Sequence, residues 1–160
     1  MILVLLGTQH NEFKRLLKKI EECIDKKIIT ENVIVQAGFT KYESNKMKIF
    51  DIKSDEELEK LINSADLIIT HGGVGSITKS LKKKKKVIAV PRLHEFGEHV
   101  NNHQKDIVNE FSKREFLIGI QDISELEKAL ALVNDFKPKE YQCTGNEVIN
   151  IVGCYIDNLK

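Results

Sequence analysis

The stretch Ala65-Asp66-Leu67-Ile68-Ile69-Thr70-His71-Gly72-Gly73-Val74-Gly75-Ser76 decides the predicted fold. Its apolar run, Leu67 to Ile69, is stopped by a glycine cluster, which is typical of a buried strand that ends in a tight loop. The glycines allow positive φ and let a ligand approach the backbone. Ser76 is predicted to cap a helix from Ile77 to Lys82, whose free N–H groups would suit a phosphate. The alternative is an ordinary strand-to-helix turn that happens to use glycine.

Strand-like and helix-like segments alternate on both sides of this stretch. We predict strands at 2–6, 32–36, 48–52, 67–69, 87–90 and 116–120, and helices at about 12–24, 55–62, 77–82, 98–112, 126–133 and 146–159. Ser54 with Glu57, and Ser124 with Glu127, have the spacing of capping boxes. The alternation predicts an α/β fold, a Rossmann-like parallel sheet of about six strands with helices on both faces.

Composition limits the kinds of protein this chain can be. Its 160 residues fit one domain, and a 31% charged, 41% hydrophobic chain with a net charge of +1 indicates a soluble protein with no nucleic-acid partner. No apolar run approaches the roughly 20 residues of a membrane span, so we expect a cytoplasmic location. Cys23, Cys143 and Cys154 show no metal-ligand spacing, which favours buried reduced thiols over a disulfide or a metal site.

Polar residues follow several of the predicted strands. Because ligands bind parallel sheets beyond the carboxyl ends of the strands, these residues should share one rim that could hold a nucleotide diphosphate and a sugar. The candidate binding residues are Gly7, Thr8, Gln9, His71, Gly72, Gly73, Val74, Gly75, Ser76, Arg92, Glu98, Asn102, His103 and Gln104. For 98–104 the alternative is a solvated first helical turn.

Two further features have a functional and an ordinary interpretation. His10 could act as a catalytic acid or base, or it could be a polar surface residue. The five lysines Lys82 to Lys86 could complement the negative end of a helix, or contact anionic lipid headgroups.

Four segments together resemble the C-terminal domain of family-28 glycosyltransferases, over residues 1 to about 120. They are Gly7-Thr8-Gln9, the stretch from Asp66 to Ser76, Val87 to Arg92, and Gly97-Glu98-His99 followed by Asn102-His103-Gln104. The sequence is most similar to single-domain members, the catalytic subunits of bacterial capsule and exopolysaccharide galactosyltransferases and of the eukaryotic dolichol-linked GlcNAc transferase. The resemblance implies half of a GT-B fold that binds a UDP-sugar, with its diphosphate at 72–76 and its sugar hydroxyls near Asn102 and Gln104.

The resemblance also implies a reaction and partners. A hexose, galactose or GlcNAc, would pass from the UDP-sugar to a polyprenyl-pyrophosphate-linked acceptor. A separate membrane-associated subunit would bind that lipid-linked acceptor and recruit the chain to the cytoplasmic face of the membrane. The isolated chain could form a homodimer through the surface left uncovered. No Asp-x-Asp motif is present, so we expect no cofactor and no obligatory metal.

The sequence departs from the family at two positions. Lys79 stands where many relatives have a ribose-binding glutamate, and Lys84 stands where a glycine usually ends the helix. Lys79, together with the expected absence of the second lobe, permits the alternative of a nucleotide-sugar binding or regulatory module without turnover. A dinucleotide-binding oxidoreductase is disfavoured, because the loop that begins at Gly7 lacks Gly-x-Gly-x-x-Gly.

Overall fold

Six parallel strands form the centre of the structure, a computed structural model that describes residues 1–142. The strands are β1 (Ile2–Leu5), β2 (Val33–Gln36), β3 (Lys48–Phe50), β4 (Leu67–His71), β5 (Lys86–Val90) and β6 (Ile118–Gly119). The helices are α1 (Lys14–Asp25), α2 (Asp55–Ser64), α3 (Val74–Lys82), α4 (His103–Lys113) and α5 (Leu126–Leu132). The strand order is β3-β2-β1-β4-β5-β6, which confirms the predicted Rossmann-like sheet.

Helices cover both faces of the sheet, as the uninterrupted apolar strands require. On one face, the inward residues of α1 and α5, among them Leu16, Ile20 and Ala129, pack against Val4 and Ile69. On the other face, α2, α3 and α4 pack on the alternate strand residues through Ile62, Ile77, Leu81, Val108 and Phe111. The register places Leu5 beside Gln36 on one side and Thr70 on the other, so the strand ends form one continuous edge.

Three predicted boundaries are wrong, and contacts distant in sequence explain why. The helix predicted from Glu98 begins instead at His103, because the buried Glu98 carboxylate accepts hydrogen bonds from Arg15 and from the Leu93 N–H. Val100, assigned to the apolar side of that helix, is 76% exposed. The strands predicted at 48–52 and 116–120 are shorter, Lys48–Phe50 and Ile118–Gly119.

One predicted capping box is confirmed and the other is wrong. Ser54 and Glu57 form the reciprocal box at the start of α2. The second box uses Asp122 and Glu125 at a 3-10 turn instead of Ser124 and Glu127. Glu127 binds the amines of two lysines of the α1 region, Lys19 at 2.6 Å and Lys26 at 2.7 Å.

Cys23 is buried, as predicted, and burial raises the pKa of its thiol. Cys143, Cys154 and the predicted helix at 146–159 lie outside the described residues. Within residues 1–142, no helix combines the length and the apolar character needed to cross a bilayer.

Candidate functional site

A cavity of about 450 Å³ opens at the carboxyl edge of the sheet. It lies where β1 and β4 meet, the point at which the strand order reverses direction and where open α/β sheets bind ligands. The loop after β1, the glycine loop after β4 and the first turns of α4 surround it. The predicted binding residues that line it are Gly7, Thr8, Gln9, His71, Gly73, Val74, Gly75, Ser76, His103 and Gln104.

The N-terminus of α3 faces this cavity without a side-chain cap. The helix begins at Val74 with Gly73 as its N-cap, so the prediction that Ser76 is the cap is wrong; Ser76 lies inside the first turn. The first N–H group that makes a helical hydrogen bond is that of Ile77, which donates to the Gly73 carbonyl four residues earlier at 3.1 Å. The preceding N–H groups have no helical acceptor and carry the positive end of the helix dipole.

The His71 ring lies so close to two positions of the cavity wall that only glycine fits there. A Cβ atom on Gly73 would lie 2.2 Å from His71 Nε2, and one on Gly7 would lie 2.6 Å from His71 Cε1. Gly7 also has φ of +78°, a conformation that other residues rarely adopt. A Cβ on Gly75 would meet no atom within 4 Å, so this glycine faces open space in the cavity.

His71 is a neutral link between the two central strands. Its Nδ1 lies 3.3 Å from the Leu5 carbonyl, which can only accept, so Nδ1 carries the proton. Burial, together with the positive charge of Arg92, lowers the pKa of the His71 ring to about 4. The ring is therefore uncharged at neutral pH and shapes the glycine loop.

The side chain of Gln104 fixes the glycine loop to the end of β5. Its Oε1 accepts from the Gly72 N–H at 3.1 Å and from the Arg92 N–H at 3.0 Å. A Cβ on Gly72 would lie 2.8 Å from Gln104 Cβ, so the loop and α4 are in close contact. Gln104 thus holds the α3 N-terminus in position and also lines the cavity.

Two histidines form the wall on the α4 side. His99 Nε2 lies 2.9 Å from the side-chain nitrogen of Gln9, and the His99 and His103 rings meet edge to face with centroids 4.5 Å apart. Burial lowers the pKa of both rings, and the charge of Arg92 adds to the effect at His99. Both shifts favour the uncharged form of the ring.

Four predicted binding residues do not line the cavity: Gly72, and the three residues that hold the loop 91–102, Arg92, Glu98 and Asn102. Arg92 is fully buried and donates to the carbonyls of Leu6, Asn11 and Glu98 at 2.6–3.1 Å. Burial lowers the pKa of Arg92 to about 10. The Glu98 carboxylate binds Arg15 at 2.9 Å, and Asn102 Oδ1 accepts from the His94 N–H at 2.8 Å.

Comparison with known proteins agrees with this geometry. Residues 1–151 match the glycosyltransferase family 28 C-terminal domain. The chain belongs to this family. The UDP-N-acetylglucosamine transferase subunit ALG13 of Candida albicans is 27% identical over 113 residues, covering 71% of this chain and 37% of that protein. ALG13 of Kluyveromyces lactis is 35% identical over 86 residues, covering 52% of this chain and 42% of that protein.

Solved structures share the fold of this family-28 domain. The NMR structure of ALG13 superposes with a TM-score of 0.61 at 20% identity, covering 94% of this chain and 93% of that one. MurG of Acinetobacter baumannii superposes with a TM-score of 0.54 at 17% identity, covering 82% of this chain and 40% of that one. The chain thus has the architecture of one half of a GT-B enzyme, and it spans less than half the length of the two curated relatives.

The structure of this family-28 domain shows where the two residues that depart from the family pattern lie. Lys79 lines the cavity and its amine donates to Asp55 Oδ1 at 2.6 Å, in a solvent-exposed pair. Lys84 has φ of +54°, so the expected left-handed residue at the end of α3 is present without glycine.

The other lysines of the 82–86 cluster mostly bind their own chain. Lys83 pairs with Glu59 and Lys84 with Glu140, while the amines of Lys85 and Lys86 donate to backbone carbonyls at 2.6–2.9 Å. These contacts favour the structural interpretation of the cluster over contact with lipid headgroups.

His10 and the cavity residues that were not predicted complete the description of the rim. His10 is exposed, contacts the Phe39 ring at a tilted angle with centroids 4.3 Å apart and does not line the cavity. Leu5, Gln36, Leu58, His99 and Ile107 line it without having been assigned to the site from sequence. Gln36 could have been found as the last residue of a predicted strand at this edge, whereas Leu58 and Ile107 come from helices whose packing the sequence does not specify.

Proposed function

We propose that this chain is the donor-binding, catalytic subunit of a glycosyltransferase that transfers a hexose from a UDP-sugar to a polyprenyl-pyrophosphate-linked acceptor. The observation that carries the proposal is the uncapped N-terminus of α3, which opens on a polar cavity at the reversal point of the sheet. Helix N-termini of this kind bind phosphate groups through backbone N–H donors and the helix dipole. Membership of family 28 supports a sugar nucleotide as the phosphate-bearing ligand.

In the proposed reaction, UDP is the leaving group and its diphosphate gains negative charge as the bond to the sugar breaks. Val74 to Ser76 line the cavity in the uncapped first turn of α3, and we propose that their N–H groups stabilise that charge without reorganising. Lys79 can exchange its exposed partner Asp55 for a phosphate oxygen, since an exposed ion pair is weak. We therefore propose transfer without an obligatory metal ion.

We propose GlcNAc as the transferred sugar. The support is that both ALG13 relatives are UDP-N-acetylglucosamine transferase subunits. Galactose is the alternative suggested by the resemblance to capsule and exopolysaccharide enzymes. In either case, we expect the sugar to lie on the His103 and Gln104 side of the cavity.

We propose that a membrane-associated subunit supplies the acceptor-binding half and brings the chain to the cytoplasmic face of the membrane. The relatives are named as subunits, and the chain has the fold of one GT-B half. Apolar side chains stand exposed near the same rim, namely Phe39, Phe96 and Val100 at 41%, 60% and 76%. The proposed partner subunit would cover them; a homodimer of the isolated chain would do so without that partner.

His10 is the candidate on this chain for the base that takes the acceptor's proton. It is exposed in the loop after β1 and contacts Phe39. His10→Gln should lower turnover while leaving UDP affinity unchanged. Unchanged turnover would assign the base to the partner subunit.

The test is transfer by the complex of this chain with its membrane subunit. Labelled UDP-GlcNAc or UDP-galactose is supplied with a polyprenyl-pyrophosphate sugar, with and without EDTA. We expect label in the lipid fraction from UDP-GlcNAc only, requiring both subunits and insensitive to EDTA. Binding of the UDP-sugar with no transfer would favour the non-catalytic module, and stabilisation by NAD but not by UDP would favour an oxidoreductase domain.

A further inference from the structure

The wall of the cavity, as far as the described residues form it, contains basic side chains and no carboxylate. Its titratable residues are His71, Lys79, His99 and His103. The uncapped N-terminus of α3 adds the positive end of its dipole. The cavity therefore suits an anion, and three of these four side chains are imidazoles, which can gain a charge near neutral pH.

His99 and His103 form a close pair in this wall. Their rings meet edge to face, with centroids 4.5 Å apart. His99 Nε2 lies 2.9 Å from the side-chain nitrogen of Gln9, in the loop after β1. His103 directly precedes Gln104, whose side chain accepts from the N–H of the glycine loop. The pair therefore lies against both loops that would hold a diphosphate.

The groups around the pair oppose a positive charge on it before a ligand binds. Burial lowers the pKa of both rings, and the charge of Arg92 at the end of β5 adds to the effect at His99. Asp106, one turn further along α4, acts in the opposite direction on the pKa of His103. A bound anion would therefore meet two imidazoles whose uncharged form is favoured.

The other titratable groups near the cavity do not compete for a proton. The Glu98 carboxylate is buried and paired with Arg15 at 2.9 Å. Lys79 of α3 already carries its charge and pairs with Asp55. Burial lowers the pKa of His71 to about 4, so this ring stays neutral. The His99–His103 pair is therefore the part of the wall that can gain charge.

We propose that binding of the donor diphosphate draws one proton from solvent onto the His99–His103 pair. The inference rests on the proposed function, which places the diphosphate at the α3 N-terminus and the hexose on the His103 side. Negative charges confined beside an imidazole favour its protonated form. Two imidazolium rings at this separation would repel each other, so the pair takes up one proton and not two. The proton returns to solvent when UDP leaves.

The imidazolium formed in this way acts in the proposed transfer. The diphosphate gains negative charge as its bond to the sugar breaks, and a positive ring in the cavity wall stabilises that charge together with the N–H groups of α3. Donor affinity falls as the pH rises, because the proton that accompanies binding becomes less available.

The experiment is calorimetric titration with UDP-GlcNAc at about pH 6.5, in MES and in Bis-Tris, two buffers of different ionisation enthalpy. UDP is not the probe, because its terminal phosphate titrates at about pH 6, whereas the diphosphate of UDP-GlcNAc is esterified at both ends. The difference in heat between the buffers should correspond to uptake of about 0.3–1 proton per nucleotide bound. Affinity should fall at least about threefold between about pH 6 and pH 8.

Variants locate the proton. His99→Gln combined with His103→Gln leaves two neutral amides in the wall and should abolish the uptake. His94→Gln, at an exposed position outside the cavity, is the matched control and should take up as much proton as the wild type.

Two results would overturn the inference. One is equal heats in both buffers for the wild type, which decides the question even if a variant does not fold. The other is unchanged proton uptake by the double variant. In both cases the sugar nucleotide binds and the proposed function stands. If the wild type binds neither UDP-GlcNAc nor UDP-galactose, both proposals fail.

Discussion

At the scale of single residues, buried polar side chains shape the site more than exposed ones do. His71 fills the space between the loops after β1 and β4, and its ring leaves no room for a Cβ at Gly7 or Gly73. Gln104 joins the glycine loop to β5 through one oxygen atom. These contacts hold the N-terminus of α3 in a fixed position relative to both central strands.

Burial of His71 should make the protein less stable in acid. The pKa of His71 is about 4 when folded and about 6.5 when unfolded, so between these values the unfolded state binds more protons. Stability is therefore lost as the pH falls through this window, by about 2 kcal/mol between pH 7 and pH 5 from this residue. Urea unfolding of His71→Asn, which keeps a donor near Leu5, should show a weaker pH dependence. The exposed control His94→Asn should match the wild type; an unchanged slope in His71→Asn would contradict this account.

Arg92 is expected to contribute to stability more than to affinity. Arg92→Lys loses the guanidinium group, whose N–H groups donate to backbone carbonyls of three separate segments. The substitution should lower the free energy of unfolding by about 2 kcal/mol. UDP affinity of the folded protein should stay within about threefold of wild type. Arg114→Lys, at a half-exposed pair with Glu110, should cost less than about 0.5 kcal/mol. A stable Arg92→Lys variant without UDP binding would place Arg92 in the donor site.

The sequence predicted the glycine loop but not the role of Arg92. The glycine cluster is recognisable because it directly follows an apolar strand, and both features are local. An arginine after a strand has the same local pattern whether it faces a ligand or the interior. The carbonyls of Leu6 and Asn11 that bury Arg92 lie more than 80 residues away in the chain, so the residue was assigned to the ligand from sequence.

At the scale of elements, helix α3 begins earlier than the sequence indicates. Ser76 has the chemistry of an N-cap, yet helical geometry starts at Val74 because Gly73 leaves the strand in extended conformation. The earlier start puts the uncapped first turn at the cavity. The start of α4 was also misplaced, since the buried Glu98 contact keeps 98–102 out of the helix.

The end of α3 is strained at one residue. Lys84 has φ of +54°, where glycine avoids a steric cost of about 1 kcal/mol. Lys84→Gly should therefore stabilise the protein by about 0.5–1 kcal/mol in urea unfolding, although it removes an exposed ion pair with Glu140. Lys82→Gly, at the last residue of α3, removes no such strain and should not stabilise the protein. Destabilisation by Lys84→Gly would show that losing the Lys84–Glu140 ion pair costs more free energy than relieving the backbone strain gains.

At the scale of the whole molecule, the strand order determines where the site lies. Alternating strands and helices predicted a parallel sheet, and a parallel sheet brings the strand ends to one edge. The sequence therefore predicted which loops meet. It did not predict that Leu58 lines the cavity, because Leu58 reaches it through the packing of α2 on the sheet.

The central claim is that the N-terminus of α3 binds the diphosphate of a UDP-sugar. The most direct test is calorimetric titration of wild type, Gly75→Asp and Gly75→Asn with UDP and UDP-GlcNAc. A side chain at Gly75 has open space, and aspartate favours a helix N-terminus, so both variants should fold. We expect the negative charge of Gly75→Asp to weaken UDP binding more than tenfold, and the neutral Gly75→Asn to weaken it much less. Equal UDP affinity in wild type and Gly75→Asp, or no binding of UDP by the wild type, would contradict the claim.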